Sequence, residues 1–179
     1  MMATAITPPA LPVPLEQVKA YLRIEGSGED ALLAGLVRSA TELCEAFTRL
    51  ALIAREVEET VPARPAWTRL AQTPVQAILG VSALPPDGGP IPLGSGDYAL
   101  DIDAAGDGWV RLPRGGGGRV LVRYRVGGAA DWNGVPEALR QGIVRMVAHL
   151  YSHRDREDGR GPPAAVTALW LPYRRLRLC

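Results

Sequence analysis

Pro14-Leu15-Glu16-Gln17-Val18-Lys19-Ala20-Tyr21-Leu22-Arg23-Ile24, followed by the acidic pair Glu29-Asp30 and an amphipathic run ending at Phe47-Thr48, reads as short helix, turn, long helix. Pro14 suits a first helical turn, where the missing N–H would have no partner in any case. Leu15, Val18, Tyr21 and Leu22 recur at helical spacing, and Gly26-Ser27-Gly28 breaks the run. In the second helix the acids sit at the start, where the helix dipole favours negative charge. Leu32, Leu33, Leu36, Val37, Ala40, Leu43, Cys44 and Phe47 then form an apolar stripe, with Arg38, Glu42, Glu45 and Arg49 opposite. The expected helices span 14–25 and 29–49, and the second, at ~1.5 Å per residue, is about 30 Å long, enough to serve as a domain's backbone.

Beyond Leu52 the period changes. Ile53, Arg55, Val57, Glu59 and Val61 alternate with their neighbours as a half-exposed strand does, until Pro62 and Pro65. Pro74 to Leu84 reads as a second strand, Pro85-Pro86-Asp87-Gly88-Gly89 as its turn, and Ile91 to Leu93 as a short return. Asp97–Ile102, Trp109–Leu112 and Val120–Val126 complete a β insertion over 52–126. Pro136 opens a third helix, expected over 136–153, with Leu139, Ile143, Met146, Val147, Leu150 and Tyr151 on one face. The expected fold class is α+β: a helical core of short, long and third helices with a small inserted antiparallel β module. Residues 1–13 read as a flexible N-terminal arm, 14–153 as the main domain, and 154–179 as a linker and an extended, docking C-terminal tail. Such a tail is separable, so truncation after Pro163 is expected to leave the rest folded.

The 179 residues, 47% hydrophobic and 22% charged, have the balance of a globular protein near the size of one domain. No apolar segment approaches the ~20 residues needed to span a bilayer, and the first residues lack the basic and apolar regions of a signal peptide, so no membrane contact and a cytoplasmic site of synthesis are expected. Cys44 and Cys179 stand far apart without metal-knuckle or redox partners, and Cys44 is expected to pack as a small apolar residue. The net charge of +1 conceals an asymmetry: residues 1–110 carry 7 basic and 14 acidic side chains, and 111–179 carry 13 basic and 5 acidic. Such polarity suits contact with an acidic partner, or head-to-tail association between copies. Nineteen of the twenty basic residues are Arg, with Lys19 the exception.

No constellation makes an enzyme. His149 and His153 have the four-residue spacing that places two imidazoles on one metal, but Ala148 and Leu150 flank His149 where a metalloprotease carries its Glu. Asp101, Asp103 and Asp107 with Gly106 and Gly108 resemble an acidic calcium loop without its alternating ligands or closing glutamate, and are expected to form a turn. Arg114-Gly115-Gly116-Gly117-Gly118-Arg119 lacks the Lys-Ser/Thr pair of a nucleotide loop and precedes a strand; it reads as a hairpin tip whose Arg114 and Arg119 are candidates for contact with DNA or another subunit. Trp132 and Asn133 are expected to staple the start of the third helix by packing on the sheet. With no nucleophile elbow and no paired carboxylates, no catalytic, metal or cofactor residue is assigned.

The order of these features resembles the head-tail connector (adaptor) proteins of long-tailed phages and gene transfer agents. It rests on the helix Leu15 to Leu22, the long helix ending in Phe47-Thr48-Arg49-Leu50-Ala51-Leu52-Ile53, and Pro74-Val75-Gln76-Ala77-Ile78 leading the β region. Asp97-Tyr98 and Trp170-Leu171-Pro172-Tyr173-Arg174 add to it. The resemblance implies a structural protein at the virion neck, assembled in the bacterial cytoplasm as a ring, expected to be a dodecamer. The ring lies below the portal protein, extends the DNA channel without sequence-specific reading, and offers an attachment surface to a tail or stopper protein. It further implies that Trp170, Leu171, Tyr173, Arg174 and Arg175 of the tail bind the portal. The alternative from the residues alone is a nucleic-acid-binding module using the basic C-terminal half.

Overall fold

A computed structural model describes residues 3–6, 13–115, 117–153 and 161–175. The chain forms two units: a helical one from residues 13–53 and 129–175, and a β one from 54–128 with the strand at 3–5.

In the helical unit, α1 (Leu15–Leu22) and α2 (Asp30–Thr48) are followed, beyond the β unit, by α3 (Glu137–Ser152) and α4 (Ala164–Trp170). Most of the stripe read from the sequence is buried: Val18 of α1, Leu33, Val37, Ala40 and Cys44 of α2, and Leu139, Ile143, Met146 and Val147 of α3 share one core, whereas Tyr21, Leu32 and Leu43 of the expected apolar faces are exposed. Burial pushes the Cys44 thiol pKa up, so it packs as an uncharged, inert group. Polar ties fix the helices around this core. Lys19 bridges to Asp30 at 3.1 Å, Tyr151 Oη donates to Glu29 Oε2 at 2.7 Å, and Trp132 Nε1 donates to Gln17 Oε1 at 3.2 Å. Trp132 therefore packs in the helical core and not, as expected, on the sheet. Asp131 holds the turn before α3, its carboxylate accepting from the Asn133 and Gly134 N–H groups.

Both α1 and α2 stop on an arginine in the left-handed region, Arg23 at φ 58° and Arg49 at φ 61°. This conformation costs a residue with a Cβ roughly 1–2 kcal/mol. After α2 the turn is held by a side chain: Glu45 Oε1 accepts the Leu52 N–H at 2.8 Å.

The β unit contains β1 (Ala3–Ala5), β2 (Arg55–Pro62), β3 (Thr68–Arg69), β4 (Val75–Leu84), β5 (Ile91–Pro92), β6 (Ala99–Ile102), β7 (Gly108–Arg111) and β8 (Arg119–Val126). They form an antiparallel five-stranded sheet in the order β1-β2-β8-β4-β5 and an antiparallel three-stranded sheet in the order β3-β7-β6. The small module expected is thus a substantial unit. Of the free arm expected over 1–13, Ala3–Ala5 pairs with the edge of β2 and Val13 is fully buried in the helical core, while 7–12 lie outside the described residues. The expected extended tail is also corrected, since α4 is helical; residues 154–160 of the linker and 176–179 of the tail lie outside the described residues.

Strand alternation sets the two faces of β8. Val120, Val122, Tyr124 and Val126 are buried, and Arg119, Arg123 and Arg125 point outward. On the inner face Glu59 is a buried carboxylate, tolerated because Tyr124 Oη and the Ala71 N–H donate to Glu59 Oε2 at 2.7 and 2.8 Å. Burial beside that carboxylate raises the Tyr124 pKa and keeps its hydroxyl a donor. On the outer face Glu56 of β2 receives Arg123 at 2.5 Å and Arg125 at 3.2 Å. Hydrogen bonds from Arg123 and then Arg125 lower the Glu56 pKa. Its charged form is thus favoured by folding. The contribution is present above the ordinary value of 4.5 and disappears as pH falls through the lowered folded value. Glu56→Gln should make stability of the chain decline less steeply below pH 4.5 in acid titrations followed by circular dichroism, with no change near neutrality in that slope.

Candidate docking surface

The C-terminal segment is built into the helical unit by one side chain. Trp170, at the end of α4, has no exposed surface. Its indole packs against α3 where Gly142 leaves room: a Cβ at 142 would overlap Trp170 Nε1 and stand 2.7 Å from Cδ1. A glycine inside a helix costs roughly 0.5–1 kcal/mol relative to alanine, and here that cost permits ring-to-backbone contact. The indole N–H has no hydrogen-bond acceptor among the described residues, so Trp170 acts there as an apolar plate. Phe47 of α2 meets it with ring centroids 5.9 Å apart and planes tilted by 50°.

From this anchor the chain makes a 3-10 turn, Leu171–Tyr173, and runs back along the end of α2. The Arg175 N–H donates to the Thr48 carbonyl at 3.0 Å, satisfying one of the last-turn acceptors that a helix leaves open. The Arg174 guanidinium sits 5.3 Å over the Phe47 ring. Of the five residues that the sequence assigned to docking, Leu171 is 55% exposed, Arg174 is exposed, and Tyr173 and Arg175 are half-buried. Trp170 is the fixed point beneath them and is not a contact surface. Truncation after Pro163 would remove that fixed point from the core, so the tail is not separable as expected. Gly142, against which the indole packs, was not singled out from the sequence; a glycine within the apolar pattern of α3 was the available signal.

The remaining candidates resolve as turns and surface. The imidazoles of His149 and His153 lie 4.4 Å apart, with His153 Nδ1 3.0 Å from the His149 carbonyl oxygen, and no three metal-ligating side chains cluster among the described residues. Asp103 caps its own turn, accepting from the Ala105 and Asp107 N–H groups at 2.9 Å and from Trp109 Nε1 at 3.0 Å. Asp107 pairs with Arg69 at 2.5 Å. Arg114 and Arg119 are exposed at the loop between β7 and β8, with Gly116 between them outside the described residues. No helix among the described residues is long and apolar enough to cross a membrane.

Comparison with known proteins bears on this arrangement. The sequence from Val13 to Ala83, covering α1, α2 and the first half of the β unit, matches the phage gp6-like head-tail connector proteins. The matched stretch is 71 of the chain's 179 residues. Three solved structures share the fold over 100% of this chain and 98% of theirs. One is a chain from the virion of a native gene transfer agent (GTA) particle, 25% identical with a TM-score of 0.80. The others come from the neck of an empty GTA particle computed with C6 symmetry and the neck of a native GTA particle computed with C12 symmetry, each 23% identical, with TM-scores of 0.79 and 0.76. No curated protein matches the chain in sequence.

The seat of Trp170 can be tested directly. Gly142→Leu should destabilise the helical unit by about 2–4 kcal/mol, the scale of overpacking combined with displacement of a buried aromatic. Arg174→Ala, which removes only an exposed cation over Phe47, should cost under about 1 kcal/mol. Urea unfolding followed by circular dichroism separates the two.

Proposed function

We propose that this chain is a connector subunit of the neck ring of a gene transfer agent or related phage particle. It joins the portal protein to a tail or stopper protein and extends the channel through which packaged DNA passes unread. The observation that carries this reading is the joint one: a gp6-like head-tail connector sequence over 13–83 on a fold matched end to end by chains of GTA necks.

A ring subunit needs a lateral surface for its own copies. The outer face of α2 offers one, with Leu32, Leu36, Ser39, Leu43 and Ala46 following at alternating steps of four and three residues. That is the spacing of a helix seam that receives another helix. Leu32 and Leu43 are each 38% exposed and Ser39 and Ala46 are exposed, so within this chain the seam is only partly covered. The occupant we assign is a second copy. For the portal we assign Leu171, Tyr173, Arg174 and Arg175, held in place by Trp170; tyrosine and arginine are among the side chains that commonly dominate interface energy.

Negative-stain microscopy of the purified connector, alone or with portal protein, should show rings, with twelve subunits expected, and particles lacking the connector should hold filled heads without tails. Monomers under both conditions, with normal tail attachment in its absence, would overturn the reading. Leu32→Glu with Leu43→Glu should keep the helical circular dichroism of the wild type and lose the rings; rings in the double variant would displace the seam alone. Leu171→Asp with Arg174→Glu should lower portal affinity at least about tenfold, the loss of roughly 1.4 kcal/mol, while leaving the rings intact.

A further inference from the structure

We propose that one end of the β unit, formed by Arg64, Arg111, Arg114 and Arg119 around Trp67, binds the phosphate backbone of duplex DNA. The backbone brings these residues together. The Leu112 N–H donates to the Arg64 carbonyl at 3.0 Å, and the Ala63 N–H donates to the Gly118 carbonyl at 3.0 Å. A Cβ on Gly115 would lie 2.9 Å from the Ala63 carbonyl carbon and oxygen, so the loop between β7 and β8 rests on the strand leading to Trp67. Arg119 stands opposite Pro62 and Leu84 at the same end. The Arg111 guanidinium is stacked 4.7 Å over the Trp67 ring, and Arg64 Nε donates to Thr68 Oγ1 at 3.0 Å. Two of the cations are therefore preset.

What marks this end is uncompensated charge. Elsewhere in the β unit Arg69 has Asp107, and Arg123 and Arg125 share Glu56. Arg64, Arg111, Arg114 and Arg119 have no carboxylate partner among the described residues, and segments 60–69 and 109–130 contain no Asp or Glu. Leaving four guanidiniums unneutralised in one place suits a polyanion, which needs only positive charge within reach.

The surroundings favour a nucleic acid over an acidic protein. A stable protein interface buries an apolar centre, and here Trp67, 39% exposed, already carries Arg111 on its ring. Leu112 beside it is buried. Gly117 and Gly118 present backbone with open space where side chains would stand, so a rod can approach closely. With the Trp67 face covered there is no free platform for an unpaired base, and no helix in the β unit to enter a groove. The mode is contact with the phosphates of a duplex, independent of sequence.

The test is fluorescence anisotropy of the full-length chain with a labelled duplex of random sequence, across a salt series starting at low ionic strength. The wild type should bind with an affinity that falls as salt rises. Arg111→Ser with Arg114→Ser should flatten the log–log salt slope by roughly 1.8, about 0.9 for each phosphate no longer neutralised, and weaken low-salt binding at least about tenfold. Arg111→Lys should keep most of the slope. Arg123→Ser with Arg125→Ser, which removes the same charge where Glu56 and Glu58 face it, should leave affinity within about twofold. No duplex binding by the wild type at low salt, an unaltered slope in the first double variant, or an equal loss in the control pair would overturn the proposal. So would intact DNA binding with abolished portal or ring association, which makes this end a protein interface.

Discussion

The indole of Trp170 against the bare backbone of Gly142 is the contact on which the helical unit turns. It closes a core that would otherwise end at α3, because α4 contributes only Val166 besides Trp170 to the fully buried set. It also fixes where the chain leaves α4. Phe47 meets the indole from α2, and Arg175 then returns to the Thr48 carbonyl, so three helices converge on one aromatic side chain. An interior glycine and a buried N–H without an acceptor both cost free energy, the latter on the order of 1–3 kcal/mol. Burying a side chain of this size returns at least as much, since such aromatics remove 150–250 Å² from water at roughly 25 cal/mol per Å².

The β unit solves a different problem, the placing of charge. Its inner face admits one carboxylate, Glu59, with a donor from Tyr124 and another from the backbone of Ala71. Its outer face pairs Glu56 with two arginines across the β2–β8 ladder, where register sets Glu56 opposite Arg125 and Glu58 opposite Arg123. Pairing of this kind is worth little in stability when exposed to water and salt, yet it discharges the surface. The cations left over at the Trp67 end differ because their segments hold no acid.

Much of this was legible in the sequence because two periods differ so plainly. The 3.6-residue recurrence in α1, α2 and α3 and the two-residue alternation in β2 place most of the buried side chains, although Tyr21, Leu32 and Leu43, read on the apolar faces, are exposed. The ends of α1 and α2 were less legible: Arg23 and Arg49 take the left-handed conformation without a glycine to announce it. The strands β1 and β3 are two or three residues long and exist by pairing with β2 and β7, a tertiary cause that no local pattern encodes. The same holds for Trp170. An aromatic residue in a short apolar segment reads equally as an exposed anchor or a buried one, and only the vacancy at Gly142, twenty-eight residues earlier, decides between them.

That decision alters how the tail can act. An exposed, disordered tail that folds onto a partner loses backbone and side-chain freedom at the moment of binding, at about 1–2 kcal/mol per residue for the backbone alone. Here the turn Leu171–Tyr173 is ordered beforehand, because Trp170 holds one side and the Arg175–Thr48 bond holds the other. In the docking proposed above, Leu171 and Arg174 would meet the partner from a preset geometry, so more of their contact energy would remain as affinity. In the proposed ring that advantage would be repeated in every subunit, each copy presenting the same two side chains without first having to order them. Rigidity at the anchor and exposure at the turn are thus two sides of one arrangement, and the first is what makes the second useful.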